Sequence, residues 1–256
     1  MDIKDKVAVI TGGASGMGRA IATMIVAKGG KVVIFDVNAD AGNAAVAEMG
    51  NSVIFAQVDV TDEVSVAAGI ELAVAQYGSI HICINCAGIA TGAKTVGKKG
   101  PFPFDLWHKT ININLNGTFN VLRLCAEQMV KNEPVNADGA RGVIINTASI
   151  AAFEGQIGQA AYSASKGGII GMMLPIARDL AVYGIRVNTI VPGIVDTPMM
   201  ASMPPEVYSA LAKSVLNPQR LAKASEIAHL AACIIENDYI NAESIRMDGG
   251  IRMQPK

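Results

Sequence analysis

The chain has 256 residues, 51% of them hydrophobic, with 26 glycines and a net charge of −1, which suits one α/β domain with a large core and many tight turns. The near-neutral charge and the lack of a basic patch argue against nucleic acid as a partner. No apolar run reaches the length of a bilayer span, and Met1-Asp2-Ile3-Lys4-Asp5-Lys6 runs straight into an apolar strand without a signal or transit pattern, so the expectation is a soluble cytoplasmic protein with no membrane partner.

Along the chain, short apolar runs alternate with longer helical patterns. Strands are predicted at 7–11, 31–36, 53–59, 80–85, 142–148, 185–191 and 244–247. The first six are near-continuous Val/Ile runs, as expected for parallel strands covered on both faces. Helices are predicted at about 16–29, 39–49, 62–77, 105–131, 160–182 and 224–235, the third with a cap at Thr61-Asp62-Glu63 and a stop at Gly78. This alternation predicts a doubly wound, Rossmann-type parallel sheet of seven strands flanked by helices, in a single domain. Its dinucleotide-binding half covers about 1–90, and the catalytic and substrate half covers about 91–256. Two long loops, 88–104 and 192–223, follow strands at the carboxyl edge of the sheet and are candidates to wall a site. The polar segment 131–141 lies at the opposite edge and is read as a solvated connection.

The four cysteines do not form a disulfide framework. Cys83-Ile84-Asn85-Cys86 spells C-x-x-C, but it has no second pair or His-x3-5-His, and it sits in an apolar run. It is read as buried small hydrophobes. His81, His108 and His229 have no metal-ligand spacing, so no metal is expected.

Thr11-Gly12-Gly13-Ala14-Ser15-Gly16-Met17-Gly18 follows the first strand and opens the first helix. Glycines at 12, 16 and 18 allow a tight turn and close backbone approach to a pyrophosphate, and the helix start supplies free N–H groups. Asp36 ends the second strand, eighteen residues after Gly18, close to the spacing of an acid that binds a ribose 2′-hydroxyl. Its charge would repel a 2′-phosphate, and Gly13 and Val37 offer no offsetting cation, so NAD is expected over NADP. Asp59 and Val60 can border the adenine, and Asp59 equally suits a helix-capping role.

Tyr162 and Lys166 stand four apart in a predicted helix, one turn apart on one face, with Ser149 thirteen residues upstream of the tyrosine. An ammonium beside a phenol lowers a pKa of about 10 and makes the tyrosine an acid/base near neutral pH. A serine hydroxyl can hold the oxygen that gains or loses the proton.

Together, Thr11-Gly12-x3-Gly16-x-Gly18, Asp59, Asn85-Cys86-Ala87-Gly88, Asn114, Ser149, Tyr162-x3-Lys166, Pro192-Gly193 and Asp248-Gly249-Gly250 resemble the short-chain dehydrogenase/reductase family over essentially the whole chain. Within it, Asn85 to Ala90, Lys98-Lys99-Gly100, Gly117 to Val121, most of 141–180 and the tail 251–255 are similar to the type 2 3-hydroxyacyl-CoA dehydrogenases. The likeness is loosest over 192–223.

The resemblance implies hydride transfer between a secondary alcohol and a nicotinamide. It implies Tyr162 as proton donor or acceptor, Lys166 as the group that lowers its pKa and holds the nicotinamide ribose, and Ser149 as the group that positions the oxygen. It implies that Asn114 anchors a water linking Lys166 to solvent, a choice that the residues alone leave open between Asn112, Asn114 and Asn116. Cofactor contacts are implied for Ser15, Met17, Asn85, Ala87 and Gly88, for Pro192, Gly193, Ile194 and Val195 along the nicotinamide, and for Thr197 at its carboxamide. Phe153 and Gln156 are expected to face the substrate. The segment after Pro192, with Met199, Met200 and Met203, is expected to be a lid, or else an amphipathic helix on the sheet. Lys98 and Lys99 are either a solvated loop face or a lure for the phosphates of coenzyme A. The expected substrate is a 3-hydroxyacyl-CoA, with a steroid, terpene, cyclic or aromatic alcohol as the alternative and a non-catalytic dinucleotide-binding protein behind both. A homotetramer is implied, joined through helices 105–131 and 160–182.

Overall fold

The computed structural model describes residues 1–201 and 204–255, with only the backbone of Met199 and Ala201. Met203 and the Met199 side chain lie outside the described residues. Strand β1 (Val7–Thr11) leads into α1 (Gly16–Ala27), β2 (Lys31–Asp36), α2 (Ala39–Met49), β3 (Val53–Gln57), α3 (Glu63–Tyr77) and β4 (Ile82–Asn85). A small hairpin, β5 (Val96–Gly97) and β6 (Gly100–Pro101), precedes α4 (Phe104–Ile111), a π-helical turn (Asn112–Asn116) and α5 (Gly117–Met129). There follow β7 (Gly142–Thr147), a 3-10 turn (Ile150–Ala152), α6 (Ala160–Ala181) and β8 (Ile185–Pro192). The chain continues through β9 (Val195–Asp196), α7 (Pro198–Ala201), α8 (Pro205–Ser214), β10 (Ala222–Lys223), α9 (Ala224–Glu236) and β11 (Ser244–Met247).

Seven strands form one sheet in the order β11-β8-β7-β4-β1-β2-β3, every pair parallel. The Val/Ile runs are continuous because each face of the strands meets its own core. Ala8, Ile10, Ile34, Ile82, Ile84, Val143 and Ile145 pack with Ile21 and Ile25 of α1 and Ala231 and Ile234 of α9. The alternate residues Val7, Val9, Val33, Cys83, Ile144 and Val187 pack with Val66 and Ile70 of α3, Leu122 and Cys125 of α5, and Met173 and Ile176 of α6. A side-chain period of two thus turns each run into two buried faces. Cys83 and Cys125 are buried, Cys86 is half-buried and Cys233 is exposed, and all four are free thiols.

Strands β2 and β3 lie on one side of β1, and the chain then returns to place β4 on the other. The reversal opens a crevice beyond the carboxyl ends of β1 and β4. The third strand ends at Gln57, where its partner β2 ends at Asp36, two residues before the predicted end. The fourth begins at Ile82 rather than Ile80, whose carbonyl accepts from the Asn132 side chain instead of a neighbouring strand. Helix α3 starts as expected, with Asp62 accepting from Val64 N at 2.9 Å, and ends at Gly78 in the left-handed region (φ 81°).

Three features differ from the expectation. The helix expected over 105–131 is divided by the π turn, where Gly117 N donates to Asn112 O. The 88–104 loop contains the β5–β6 hairpin. The prolines of 192–223 do not mark a featureless loop, because Pro205 opens α8 at a position where its missing N–H costs nothing. Among the described residues, no helix is long and apolar enough to cross a membrane.

Candidate active site

The crevice holds a cavity of about 640 Å³ lined by the glycine loop, the ends of β2, β3 and β4, the α4–π segment, the ends of β7 and β8, and Tyr162 and Lys166 of α6. At its floor, Gly12 takes φ 62° and lies so close to β4 that a Cβ would sit 3.0 Å from Ala87 N. A Cβ on Gly18 would sit 2.3 Å from the Gly12 carbonyl oxygen, so helix and loop meet in a space that a methyl group would fill. The Thr11 hydroxyl, accepting from Cys86 N at 3.1 Å and Ala87 N at 3.0 Å, fastens the end of β4 to the loop. Helix α1 has no acid in its first turn, and its N-cap, Ser15, makes no side-chain cap bond. Free N–H groups, an uncompensated helix start and a free hydroxyl face the cavity together, and this fits a dinucleotide pyrophosphate.

Asp36 lines the cavity with its carboxylate fixed by Ala14 N (3.3 Å) and Asn38 N (3.1 Å). Asp59 lines it too, and it also closes a turn by accepting from Thr61 N at 2.9 Å and Thr61 Oγ1 at 2.8 Å. The cap of α3 is Asp62 rather than Asp59, which holds the turn before it. Ser15, Gly16, Met17, Val60, Ala87, Gly88, Pro192, Gly193, Val195 and Thr197 also line the cavity. Two expected cofactor contacts do not. Asn85 is buried in the sheet, where its amide donates to Asn146 Oδ1 at 2.9 Å, and Ile194 packs instead beside Val215 in a separate small core.

Ser149, Tyr162 and Lys166 meet on the cavity wall. Ser149 caps the 3-10 turn, its Oγ accepting from Ala151 N at 3.1 Å. Lys166, 5% exposed, donates from Nζ to the Thr147 carbonyl at 2.8 Å, and Nζ stands 5.9 Å from the centroid of the Tyr162 ring. Burial drives the Lys166 pKa down to about 8. Burial raises the Tyr162 pKa above its ordinary value, and the Ser149 hydroxyl pulls the other way. The shift is thus opposite to the expected lowering, since desolvation of the phenolate outweighs the Ser149 hydroxyl.

Asn114 is fully buried in the π turn. Its amide donates to Ile89 O at 2.9 Å and Ser165 Oγ at 3.1 Å, and its Oδ1 accepts from Ile89 N at 2.8 Å. A Cβ on Gly88 would lie 3.2 Å from Asn114 Oδ1 and 3.6 Å from Lys166 Nζ, so both groups border the space beside Gly88. Neither Asn112, which lines the cavity, nor Asn116, which is exposed, takes this place.

The expected substrate contacts are more dispersed. Phe153 is 58% exposed, and Gln156 commits its amide to the Gln254 carbonyl at 2.9 Å. Lys98 and Lys99 are exposed in the turn between β5 and β6 and do not line the cavity, and neither does Met200. Sequence reasoning missed Lys109 and Ile113, which line it together with Asn112. Their spacing of three and four residues on one helical face was the available signal. Cys86, also at the wall, is held as a thiol, its pKa pushed up to about 11 by burial.

Comparison with known proteins agrees with this geometry. Residues 6–207 match the family described as short chain dehydrogenase. The chain is 52% identical over 255 residues to a 3-hydroxyacyl-CoA dehydrogenase type-2 of Homo sapiens, covering 99% of this chain and 97% of the relative. It is 34% identical over 251 residues to a cis-4-hydroxycyclohexanecarboxylate dehydrogenase of Sinomonas cyclohexanicum, covering 96% of each. A crystal structure of 3-hydroxyacyl-CoA dehydrogenase type-2 from Mycobacterium avium superposes with a TM-score of 0.93 at 42% identity, covering 98% of this chain and 97% of that one. A glycine cradle at the switch point of a parallel sheet, with a serine, tyrosine and lysine on its wall, and matches that run nearly end to end lead to one conclusion: the chain belongs to the short-chain dehydrogenase family and is an oxidoreductase.

Proposed function

We propose that the protein is an NAD-dependent dehydrogenase that interconverts a 3-hydroxyacyl-CoA and its 3-ketoacyl-CoA. The observation that carries the reaction is the meeting of Ser149, Tyr162 and Lys166 on the wall of a cavity whose floor is the glycine loop. The substrate class is supported by 52% identity across nearly the whole chain to a relative named for that substrate. The choice of NAD is supported by the fixed carboxylate of Asp36 at the cavity, where a 2′-phosphate would meet like charge.

In this reading Gly12, Ser15, Gly16, Met17 and Gly18 hold the pyrophosphate, and Asp36 binds the adenosine ribose. Asp59 and Val60 flank the adenine, and Pro192, Gly193, Val195 and Thr197 lie along the nicotinamide. When bound, the nicotinamide supplies the hydride acceptor or donor. The Tyr162 Oη takes the hydroxyl proton of the substrate during oxidation and returns it during reduction. Ser149 Oγ hydrogen-bonds the same oxygen and keeps it within reach. Burial raises the Tyr162 pKa, so the cationic form of Lys166 favours the phenolate, and the positive charge of an oxidised nicotinamide would favour it further. Asn114 Oδ1 has a second lone pair beside that of the Ile89 bond, which can hold a water next to Lys166 Nζ. General acid–base help of this kind is worth about 10²–10⁴-fold in rate.

A homotetramer in the cytoplasm accompanies this reading, with Phe119 of α5 (47% exposed) and Leu174 of α6 (40% exposed) as apolar residues for the subunit contacts. A second reading, a cyclic secondary alcohol as substrate, is favoured by the relative that acts on a hydroxycyclohexane carboxylate. A spectrophotometric screen of NAD⁺ reduction with hydroxyacyl-CoAs, hydroxysteroids and cyclic and aryl alcohols separates them. The hydroxyacyl-CoAs are expected to give the highest kcat/KM. A higher value for a cyclic alcohol favours the second reading, and tight NADH binding without turnover of any substrate removes both.

A further inference from the structure

Between the 3-10 turn and α6, residues 153–159 form no regular secondary structure, yet they join Ser149 to Tyr162. A loop without a ladder of its own needs other partners to hold one position. Beside Ala93 N, which donates to Gly158 O at 2.9 Å, the partners distant in sequence come from Arg246 of β11 and from the C-terminal tail. The Glu154 carboxylate is gripped by the Arg246 guanidinium through two contacts, Oε1–Nη1 at 2.9 Å and Oε2–Nη2 at 3.1 Å. Oε2 also accepts from Met253 N at 2.9 Å, and Arg252 Nε lies 3.5 Å from Oε1. Farther along, Gln156 Nε2 donates to Gln254 O at 2.9 Å, and Ile157 N donates to Pro255 O at 3.1 Å.

The tail in turn is tied to the cavity wall. Arg246 also bonds Asp248 and donates to Ile251 O at 2.9 Å. Asp248 packs so closely on Gly193 that a Cβ there would lie 2.7 Å from the Asp248 Cβ, and Gly193 N donates to Met247 O at 2.9 Å. Just beyond, Gly249 O accepts from Asn217 N at 3.1 Å, near the end of α8. One polar node therefore meets the loop before α6, the turn after β8 and the foot of α8.

We propose that Glu154 is a positioning residue that fastens loop 153–157 to a strap formed by residues 251–255, and that this strap holds the substrate-side wall in place. The proposal rests on the 3-hydroxyacyl-CoA reading and on the expectation that Phe153 and Gln156 of that loop face the substrate. Glu154 touches neither the cavity nor the reacting atoms; it acts through the loop. Bidentate, charge-assisted pairing supplies the geometric definition that a neutral contact lacks. A bulky acyl thioester needs the loop in place, whereas the dinucleotide is anchored chiefly at the glycine loop.

The test compares wild type, Glu154→Gln, Glu154→Asp and a chain ending at Arg252. The measurements are steady-state kinetics with acetoacetyl-CoA and NADH, NADH affinity by fluorescence, and hydrogen exchange by mass spectrometry. For Glu154→Gln, KM for acetoacetyl-CoA is expected to rise about ten-fold, the size of one lost charge-assisted contact. The NADH Kd should stay within about two-fold, faster exchange should be confined to 150–159 and 251–255, and Glu154→Asp should recover part of the loss. Unchanged KM and unchanged exchange in that loop would overturn the proposal. So would a loss shared equally by NADH binding, kcat and Tm, which describes a general structural role.

If Glu154→Gln does not fold, the chain ending at Arg252 decides. It keeps Ile251 in its core and loses the strap bonds of Met253, Gln254 and Pro255. The same pattern supports the strap, and wild-type kinetics and exchange refute it. Should wild type not turn over acetoacetyl-CoA, the substrate assignment fails, and the exchange measurement still decides whether the strap holds the loop.

Discussion

Lys166 Nζ donates to the Thr147 carbonyl at 2.8 Å and lies 5.9 Å from the centre of the Tyr162 ring, so this buried ammonium is tied to the end of β7 and reaches the phenol only through space. The anchor sets the distance at which its charge acts. Burial raises the Tyr162 pKa, and the Ser149 hydroxyl works against that shift.

Tyr162→Phe removes the proton donor and acceptor and leaves the glycine loop untouched. The expected result is a fall in kcat of about 10²-fold or more with NADH affinity unchanged. Turnover above about a tenth of wild type would remove Tyr162 from the chemistry. In the wild type, alcohol oxidation should rise with pH as the phenol loses its proton, and ketone reduction should fall. Lys166→Met should shift the oxidation limb to higher pH, because the phenolate then lacks its cation; a limb that stays in place argues that the lysine serves the ribose alone.

Asp36 is held by two backbone N–H groups at the edge of the cavity. Wild type should prefer NAD over NADP in kcat/KM, and Asp36→Ser should narrow the ratio by about ten-fold or more by removing the like charge. A variant ratio equal to that of wild type would show that discrimination lies elsewhere.

Lys98 and Lys99 sit at an exposed hairpin turn, outside the cavity. Replacing both with alanine separates steering from a solvated loop. If they attract coenzyme A phosphates, KM for acetoacetyl-CoA should rise by a few-fold at low salt, and the effect should fade as salt is raised. An identical shift with a small uncharged ketone would count against recognition of coenzyme A.

His81 is half-buried just before β4 and accepts from Val7 N at 3.3 Å. Burial, with Lys6 nearby, lowers its pKa from 6.5 to about 4. Between these values the unfolded chain binds a proton that the folded chain does not. Stability should therefore be fully present above pH 6.5 and fall as pH drops toward 4. His81→Gln, which keeps an acceptor without titrating, should flatten the fall of Tm over that window. An unchanged slope would assign acid sensitivity to other groups.

Local pattern alone determined the seven strands, the helix start at Gly16, the capping segment before α3, the glycine loop and the Ser149–Tyr162–Lys166 spacing. Each of these is written in neighbouring residues, because a buried parallel strand, a capped helix and one helical turn have short-range signatures. Asp36 was legible for the same reason, as it ends a strand, and Asp59 was legible as an acid just past one. Tertiary structure decided what depends on residues far apart in the chain. It buried Asn114 rather than Asn112 or Asn116, because a π turn sets that side chain against Ile89 and Ser165. It moved Asn85 and Ile194 off the cavity, lifted Lys98 and Lys99 onto a hairpin, and gave the Gln156 amide to the tail. It also reversed the expected shift of the Tyr162 phenol, since desolvation is set by everything packed around a group, and no spacing in the sequence records that.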